Sequence, residues 1–372
     1  MTDAPVPGLP PVSPGTDVPL AALTTLGLGG AAERLVVVAD DDALIAALAD
    51  ADAAGRPTLL LAGGSNLVIG DGPIPGDTIV LRTTGTTDED DGDHVLRTVA
   101  AGEPWDAVVA RSVADGLSGL ECLSGIPGTT GATPIQNVGA YGQEVADTIV
   151  RVRVHDRRTG ETRDWDAAEC RFAYRTSIFK GHGRYVVLSV TFRLERSELA
   201  QPLRYGELAR AVEQADRPAT TALVRREVLR LRRGKGMVID PTDPDTRSAG
   251  SFFTNPIVSA DRLDAFRARV AERLGPDTVA PEYPQPDDRT KSSAAWLIER
   301  AGFARGHARP GAALSSKHTL ALTNRGGTTS DLLALAHEVA EGVEAAFGVA
   351  LRPEPVFVGV AWDDDTPAAA AR

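Results

Sequence analysis

Five glycines punctuate the stretch SGIPGTTGATPIQNVGAYGQEV, at Gly125, Gly128, Gly131, Gly139 and Gly142, with Gln136 and Asn137 between them. Neither a helical nor a strand period survives this spacing, so the chain must cross here as a long ordered loop with folded elements on either side. A loop of this length inside a compact domain is usually functional. A second glycine-rich word, LLLAGGSNLVIGD, sets Gly63, Gly64, Ser65 and Asn66 between two apolar runs. Glycines let backbone N–H groups come close to a phosphate, and Ser and Asn side chains add polar contacts. Alone, that word also reads as a hairpin with glycines supplying positive φ. Two such loops on one domain fit an extended cofactor with a pyrophosphate in the middle.

A third run, Gly27-Leu28-Gly29-Gly30-Ala31-Ala32, matches the G-x-G-x-x-A dinucleotide pattern. That pattern needs a strand before it and a helix after it. Here Arg34–Ala39 reads as a strand, which argues against a dinucleotide loop.

The organisation around the loops is mixed. ERLVVVA, a capped helix DDDALIAALADADAAG ending at Gly55, and PTLLLA make a β-α-β beginning. NLVIGD and DTIVLRT follow as strands, then TTDEDDGD, an acidic insert that reads as a solvated loop, then HVLRTVAAG and the helix PWDAVVARSVADG. Alternation in Val150–Val154 and Val186–Leu194 predicts half-buried antiparallel strands. The later text holds the basic helix TTALVRREVLRLRRGKG, helices near 260–273 and in KSSAAWLIERAGF, the strand TLALTN, the long helix TSDLLALAHEVAEGVEAAFG and a last strand, EPVFVGVAW. Strands and helices mix without regular alternation, so the fold class is α+β.

At 372 residues the chain is long enough for two or three domains. A net charge of −12 argues against a nucleic-acid partner and against a polybasic membrane surface, so an anionic ligand must be gripped by local Arg and Lys. Cys122 and Cys170 are too few for a disulfide framework or a metal cluster; no metal site and a reducing cytoplasm are expected. The six prolines within residues 1–20 predict a disordered leader rather than a signal peptide, and residues 363–372 read as a tail. No stretch reaches the roughly 18 apolar residues of a membrane span.

Four further segments carry polar groups in unusual company. Tyr174-Arg175-Thr176-Ser177-Ile178-Phe179 places one arginine among aromatic and apolar neighbours, suited to a carboxylate or to a salt bridge at a domain edge. The six cations within 225–235 read largely as a solvated helix face, but Lys235 between Gly234 and Gly236 suits an anion. SAGSFFTNP holds Ser251 between a glycine and two phenylalanines, and LRPEPVFVG fixes Glu354 between two prolines.

The words AGGSNLVIGD, GIPGTTGATPIQNVGAYG, YRTSIFK, GSFFTNP, PEYPQPD with KSSAAWLIERAGF, and RPEPVFVG, in this order, resemble the UDP-N-acetylenolpyruvoylglucosamine reductases over about residues 21–362. The resemblance implies an FAD-binding unit of the vanillyl-alcohol-oxidase (PCMH) type over 21–199, its two subdomains dividing near 82. A helical connector (200–236), a smaller α+β substrate-binding domain (237–348) and a strand returning to the first subdomain (349–362) would follow. FAD, held without a covalent bond, would be contacted by Gly63, Gly64, Ser65, Asn66, Gly125, Ile126, Pro127, Gly128, Thr129, Gly131, Gln136, Asn137, Gly139, Ala140 and Tyr141. NADPH would reduce the flavin, and the enolpyruvyl group of a nucleotide sugar would then be reduced to give UDP-N-acetylmuramate for peptidoglycan.

By the same resemblance Arg175 and Glu354 match active-site residues, and Ser251 matches the proton donor. Tyr174, Lys235, Asn255 and Tyr283 fall where the family contacts the sugar nucleotide. A cytoplasmic monomer is expected. Gly131-Ala132-Thr133-Pro134 departs from the paired glycine and Ala-Pro common in the family, and His318 stands where some members carry glutamine. Two rivals remain: a flavin oxidase of the same fold, tethering its cofactor through a residue such as Cys122, and a nucleotide-sugar binding module without catalysis.

Overall fold

A computed structural model describes residues 9–215 and 217–363. The first sheet has the order β1-β2-β5-β3, from Gly15–Pro19, Ala31–Val38, Ile74–Leu81 and Thr58–Leu61, with β4 (Leu67–Ile69) lying apart. β2, β5 and β3 run parallel, and β1 joins β2 antiparallel. The β-branched runs of β2 and β5 suit a sheet covered on both sides. One cover is α1 (Asp41–Ala53), whose N-terminus is capped by the Asp40 carboxylate accepting from Ala43 N at 2.8 Å.

The second sheet is antiparallel in the order β12-β11-β13-β7-β6, with β8 (Leu117–Ser118) also on β13. Its strands are β6 (Thr86–Asp91), β7 (His94–Ala100), β11 (Ile149–Asp156), β12 (Glu161–Asp166) and β13 (Tyr185–Arg196). β9 (Gly139–Ala140) and β10 (Gln143–Glu144) form a small hairpin beside it. α2 (Trp105–Ala114) buries Trp105 against Phe192. Ala101, Val186 and Leu188 pack with Leu44, Leu48 and Leu81, so the two sheets share a core.

α3 (Gly206–Glu213) and α4 (Thr221–Gly234) pack together and lead into the third layer. That layer carries two small sheets, β14-β16-β15 (Ile257–Val258, Thr290–Ser292, Glu282–Pro284) and β17-β18-β19 (Ala308–Arg309, Ala312–Leu314, Leu322–Asn324). Helices α5 (Ala260–Leu274), α6 (Ala294–Ala301) and α7 (Thr329–Phe347) cover them. Phe252, Phe253, Leu297, Val339 and Phe347 form its core together with Val68 and Phe357 from the far ends of the chain. β20 (Val356–Val358) then pairs in parallel with β4.

Two expectations change. Of the leader expected over 1–20, residues 15–19 are β1, registered from Gly15 opposite Leu35 to Pro19 opposite Ala31. An edge position tolerates the missing N–H of Pro19, so proline content alone did not exclude a strand. Residues 1–8 and 364–372 lie outside the described residues.

The acidic insert is not a loop. Thr86–Asp91 is the edge strand β6, turned onto β7 through Gly92-Asp93 with Gly92 at φ +65°. Arginines neutralise its carboxylates: Arg97 donates to both oxygens of Asp88 at 2.9 and 2.7 Å, Arg193 to Asp91 at 2.6 Å and Arg196 to Asp90 at 2.7 Å. Charge paired across a sheet, on an edge that repels further strands, explains why these residues can be extended.

Candidate active site

The two glycine loops meet. Ser65 Oγ donates to the Pro127 carbonyl at 3.0 Å, and Asn66 Nδ2 to Gln136 Oε1 at 2.8 Å. A Cβ on Gly63 would lie 2.6 Å from the Cα of Gly128, so glycine is required where the loops touch. Together they line a cavity of about 340 Å³. Gly63, Gly64, Ser65, Asn66, Ile126, Pro127, Gly128, Thr129, Gly131, Gln136 and Gly139 lie on its wall, among apolar side chains that include Leu81, Ile135 and Val187.

Four expected contacts lie elsewhere. Gly125 donates its N–H to Asp106 at 2.6 Å. Asn137 is buried and braced, its amide donating to Glu144 at 2.7 Å and to the Ala173 carbonyl at 3.2 Å. Ala140 sits in the β9–β10 hairpin. Tyr141 stands edge-on to Tyr205, its phenol pushed up to about 12 by burial. The loop uses these residues to hold its own shape.

The cavity wall fits a polar cofactor. Thr129 Oγ1 and Arg232 Nε are buried without a hydrogen-bond partner among the described residues, and both residues line the cavity. The N–H groups of Gly64, Ser65 and Asn66 find no backbone acceptor among the described residues. Leaving such groups unpaired costs about 1–3 kcal/mol each, which a ligand with acceptor oxygens relieves. Arg232 belongs to the basic run read as a solvated face, yet its Nη2 holds the Met237 carbonyl at 2.9 Å and its Nε is enclosed. It sits where α4 turns inward, and charge counting could not distinguish it from its exposed neighbours.

Arg175, Ser251 and Glu354 line the same cavity. Arg175 occupies the third position of the turn Ala173–Thr176, which is closed by mutual backbone bonds of 3.0 and 3.2 Å. Its φ is +54°, a region that favours glycine and costs other residues about 1–3 kcal/mol. The guanidinium donates to the carbonyls of Asn137 at 3.3 Å and Gly139 at 2.9 Å, and its Nε lies 3.4 Å from Glu354 Oε1.

Glu354 reaches the site through backbone pairing. Its N–H donates to the Phe252 carbonyl at 2.8 Å, and Val356 N donates to the Asn66 carbonyl at 2.9 Å. Ser251, next to Phe252, is thereby carried to the same wall. Phe252 and Phe253 are buried against each other and Trp362, which anchors the serine turn in the core. Burial pushes the Glu354 carboxyl above its ordinary pKa, against the opposing pull of Arg175 and Lys180. Lys180, missed in the sequence, lines the cavity and donates to the Arg175 carbonyl at 2.9 Å. Its only signal was its place at the end of YRTSIFK.

Two neighbouring cavities take Tyr174, Asn255 and Lys235. Tyr174 and Asn255 line one of about 650 Å³, and Lys291 Nζ stands 4.6 Å from the centre of the Tyr174 ring. Asn255 Oδ1 also accepts from Ala294 N at 3.0 Å, tying this loop to the start of α6. Lys235 lines the other, of about 400 Å³, with His318, and pairs with Glu207 at 2.6 Å. His318 is pushed down to about 4, by burial first and then by Lys235 and Arg305, so the ring is neutral at pH 7. Its Nδ1 accepts from Leu320 N at 3.0 Å, and the Leu320 carbonyl accepts from Phe252 N at 2.7 Å. His318 thus supports the serine turn from behind. Tyr283 is half exposed on β15 opposite Lys291 and lines none of the three cavities. Cys122 is buried, its thiol pushed up to about 12, and does not line the cavity between the glycine loops.

Residues 32–166 match the model of an FAD binding domain, and residues 240–358 that of the UDP-N-acetylenolpyruvoylglucosamine reductase C-terminal domain. The chain is 58% identical over 348 residues to UDP-N-acetylenolpyruvoylglucosamine reductase of Thermobifida fusca, spanning 92% of this chain and 98% of that protein. The protein of the same name from Streptomyces coelicolor is 56% identical over 358 residues, covering 95% and 92%. Among solved structures, UDP-N-acetylenolpyruvylglucosamine reductase from Thermus caldophilus superposes with a TM-score of 0.61 at 25% identity, over 93% of this chain and 98% of that one.

Proposed function

The chain belongs to the UDP-N-acetylenolpyruvoylglucosamine reductase family, and from that premise we propose how its own residues divide the work. It is an FAD-dependent oxidoreductase that uses NADPH to reduce the enolpyruvyl group of UDP-N-acetylglucosamine enolpyruvate, giving UDP-N-acetylmuramate for peptidoglycan. FAD, when bound, would supply the hydride-transfer chemistry that links NADPH to the enolpyruvyl group.

The residues fitted to hold FAD are those of the two touching loops, with Thr129, Arg232 and the N–H groups of Gly64–Asn66 as donors. Addition of hydride leaves negative charge on the substrate's neighbouring carbon, delocalised into its carboxylate. Preorganised donors favour that charge. Arg175 supplies a fixed guanidinium, and Glu354 a carboxyl whose neutral form burial favours against the pull of Arg175 and Lys180. Ser251 gives its hydroxyl proton to the carbanion carbon. A hydroxyl is a weak acid, but a carbanion is a strong base, so position governs this step.

Tyr174, Asn255 and Lys235 hold the sugar nucleotide, with Tyr283 covering its uridine-diphosphate end. The same reading divides the chain into an FAD-binding unit (21–199), a connector (200–236), a substrate-binding domain (237–348) and a returning strand (349–362). It takes the protein to work as a cytoplasmic monomer; among the described residues no helix is long and apolar enough to cross a membrane.

The observation that carries this assignment is the convergence of both glycine loops, Arg175, Ser251 and Glu354 on one cavity. Neither a histidine nor Cys122 lies on that wall among the described residues, which speaks against a covalently tethered flavin. The test is anaerobic: reduce the flavin-loaded protein with NADPH, add UDP-N-acetylglucosamine enolpyruvate and follow flavin absorbance. Reoxidation with formation of UDP-N-acetylmuramate supports the assignment. A flavin that stays reduced overturns it.

A further inference from the structure

Lys180 touches two cavities, that of the glycine loops and that of Tyr174 and Asn255, and the division of work above gives it no task. Its Nζ donates to the carbonyl oxygen of Arg175 at 2.9 Å. That carbonyl belongs to the residue at φ +54°, in the middle of a turn whose ends alone are fixed by the Ala173–Thr176 bonds. The chain returns from Thr176 to Lys180 through a rigid path. Ser177 Oγ donates to the Ile135 carbonyl at 2.7 Å and accepts from Phe179 N at 3.2 Å, while Phe179 is buried against Trp165. A lysine anchored in this way holds the carbonyl that a strained turn would otherwise be free to rotate.

We propose that Lys180 is a positioning residue for reduction of the enolpyruvyl group: its ammonium locks the left-handed turn that aims Arg175 and sets the charge balance around Glu354. The proposal rests on the roles assigned above to Arg175 and Glu354. The groups facing Glu354 come from several elements. The turn contributes Arg175, Tyr174 and Lys180, and Glu144 of the β9–β10 hairpin stands 3.7 Å from Arg175. The loop bearing Phe252 contributes Ser251, which carries no charge. Burial drives Glu354 toward its neutral form, and Arg175 and Lys180 oppose it. Lys180 itself is held below its ordinary value by burial, with Glu354 pulling it back up. Removing the ammonium therefore makes Glu354 harder to ionise and loosens Arg175 together.

The test uses the flavin-loaded enzyme and Lys180→Met and Lys180→Arg variants. Protonation of Glu354 is followed by infrared absorption of its neutral carboxyl across pH, the band being assigned by its loss in Glu354→Gln. Single-turnover mixing measures flavin reduction by NADPH and reoxidation by the enolpyruvyl substrate separately. Lys180→Met should move the Glu354 titration upward. It should slow reoxidation by about a hundredfold, as expected for a misaimed group, and leave reduction by NADPH within about twofold. Lys180→Arg, which keeps the charge, should restore the titration and part of the reoxidation rate. Lys180→Gln carries the same test if the methionine variant does not fold. An unmoved titration, or equal losses in both half-reactions, overturns the proposal. The two readings fail separately: a wild-type enzyme not reoxidised by the substrate overturns the assigned function, while the titration still judges Lys180.

Discussion

Arg175 Nε stands 3.4 Å from Glu354 Oε1, and each residue is delivered by a different constraint: a turn in left-handed backbone for the arginine, and the bond from Glu354 N to the Phe252 carbonyl for the glutamate. Two influences on this largely buried carboxyl oppose each other. The arginine favours the carboxylate and burial favours the acid. A site that must offer both a fixed positive charge and a transferable or shareable proton needs this opposition to stay near balance.

Glu354 should therefore show itself in a pH profile. Its pKa is raised, so the proton-bearing form persists to higher pH than for an ordinary glutamate. Flavin reoxidation by the enolpyruvyl substrate should be full below that raised value and decline as pH climbs through it. In Glu354→Gln the decline should vanish and the plateau should fall by about tenfold, stopped-flow absorbance against pH being the measurement.

Ser251→Ala should separate the two half-reactions. Reduction by NADPH needs no proton from Ser251, so its rate should stay within about twofold of wild type. Reoxidation should slow by roughly a hundred- to a thousandfold, the range for loss of a positioned proton donor. Equal slowing of both, measured in single turnovers, would remove Ser251 from the protonation step.

Gly63→Ala probes the contact between the loops. The added Cβ would lie 2.6 Å from the Cα of Gly128, backbone against backbone, so one loop must withdraw. The purified variant should carry much less flavin, read as the ratio of flavin to protein absorbance, with its circular dichroism preserved.

Thr129→Val removes an enclosed hydroxyl that the protein leaves unpaired. Flavin affinity should fall by about tenfold, equivalent to one net hydrogen bond. Thermal stability of the flavin-free protein should be unchanged or slightly higher, since a buried orphan has been deleted. Titration of apoprotein with FAD and melting curves check both statements.

Arg97→Met addresses the acidic hairpin. Arg97 is buried and bonded to Asp88, Asp115 and Ser112, so its loss should cost about 3 kcal/mol in urea unfolding. The Arg97 hydrogen bond holds Asp88 below the ordinary carboxylate value. Its contribution is present above the unfolded-state pKa and lost as pH falls through the depressed one, so variant and wild type should converge in acid.

Local pattern carried much of this fold to the page. Helix α1 announced itself through Asp40 and Gly55, and β2, β5, β11 and β13 through β-branched runs and alternation. The edge strand β6 stayed hidden because its support comes from Arg97, Arg193 and Arg196, whose pairing depends on register and not on the insert's own residues. At the site, unusual words gave Ser251, Arg175 and Glu354, and the structure brings all three to one wall. Gly125, Asn137, Ala140 and Tyr141 stand off the cavity wall, and a loop spends some side chains on its own shape, as Asn137 does on Glu144 and Ala173. Lys180 and Arg232 were overlooked because a lysine or arginine in a text gives no sign of where its backbone turns.

The pairing of β20 with β4 has a consequence for the order in which the molecule comes into being. Val356 holds the carbonyl of Asn66 within the first glycine loop, and Glu354 precedes it by two residues. Both lie far along the chain from the first glycine loop. Contacts of such sequence separation form late, because a long loop must close before they can form. This wall of the cavity is thus completed late in folding, after the local pairings of the two large sheets.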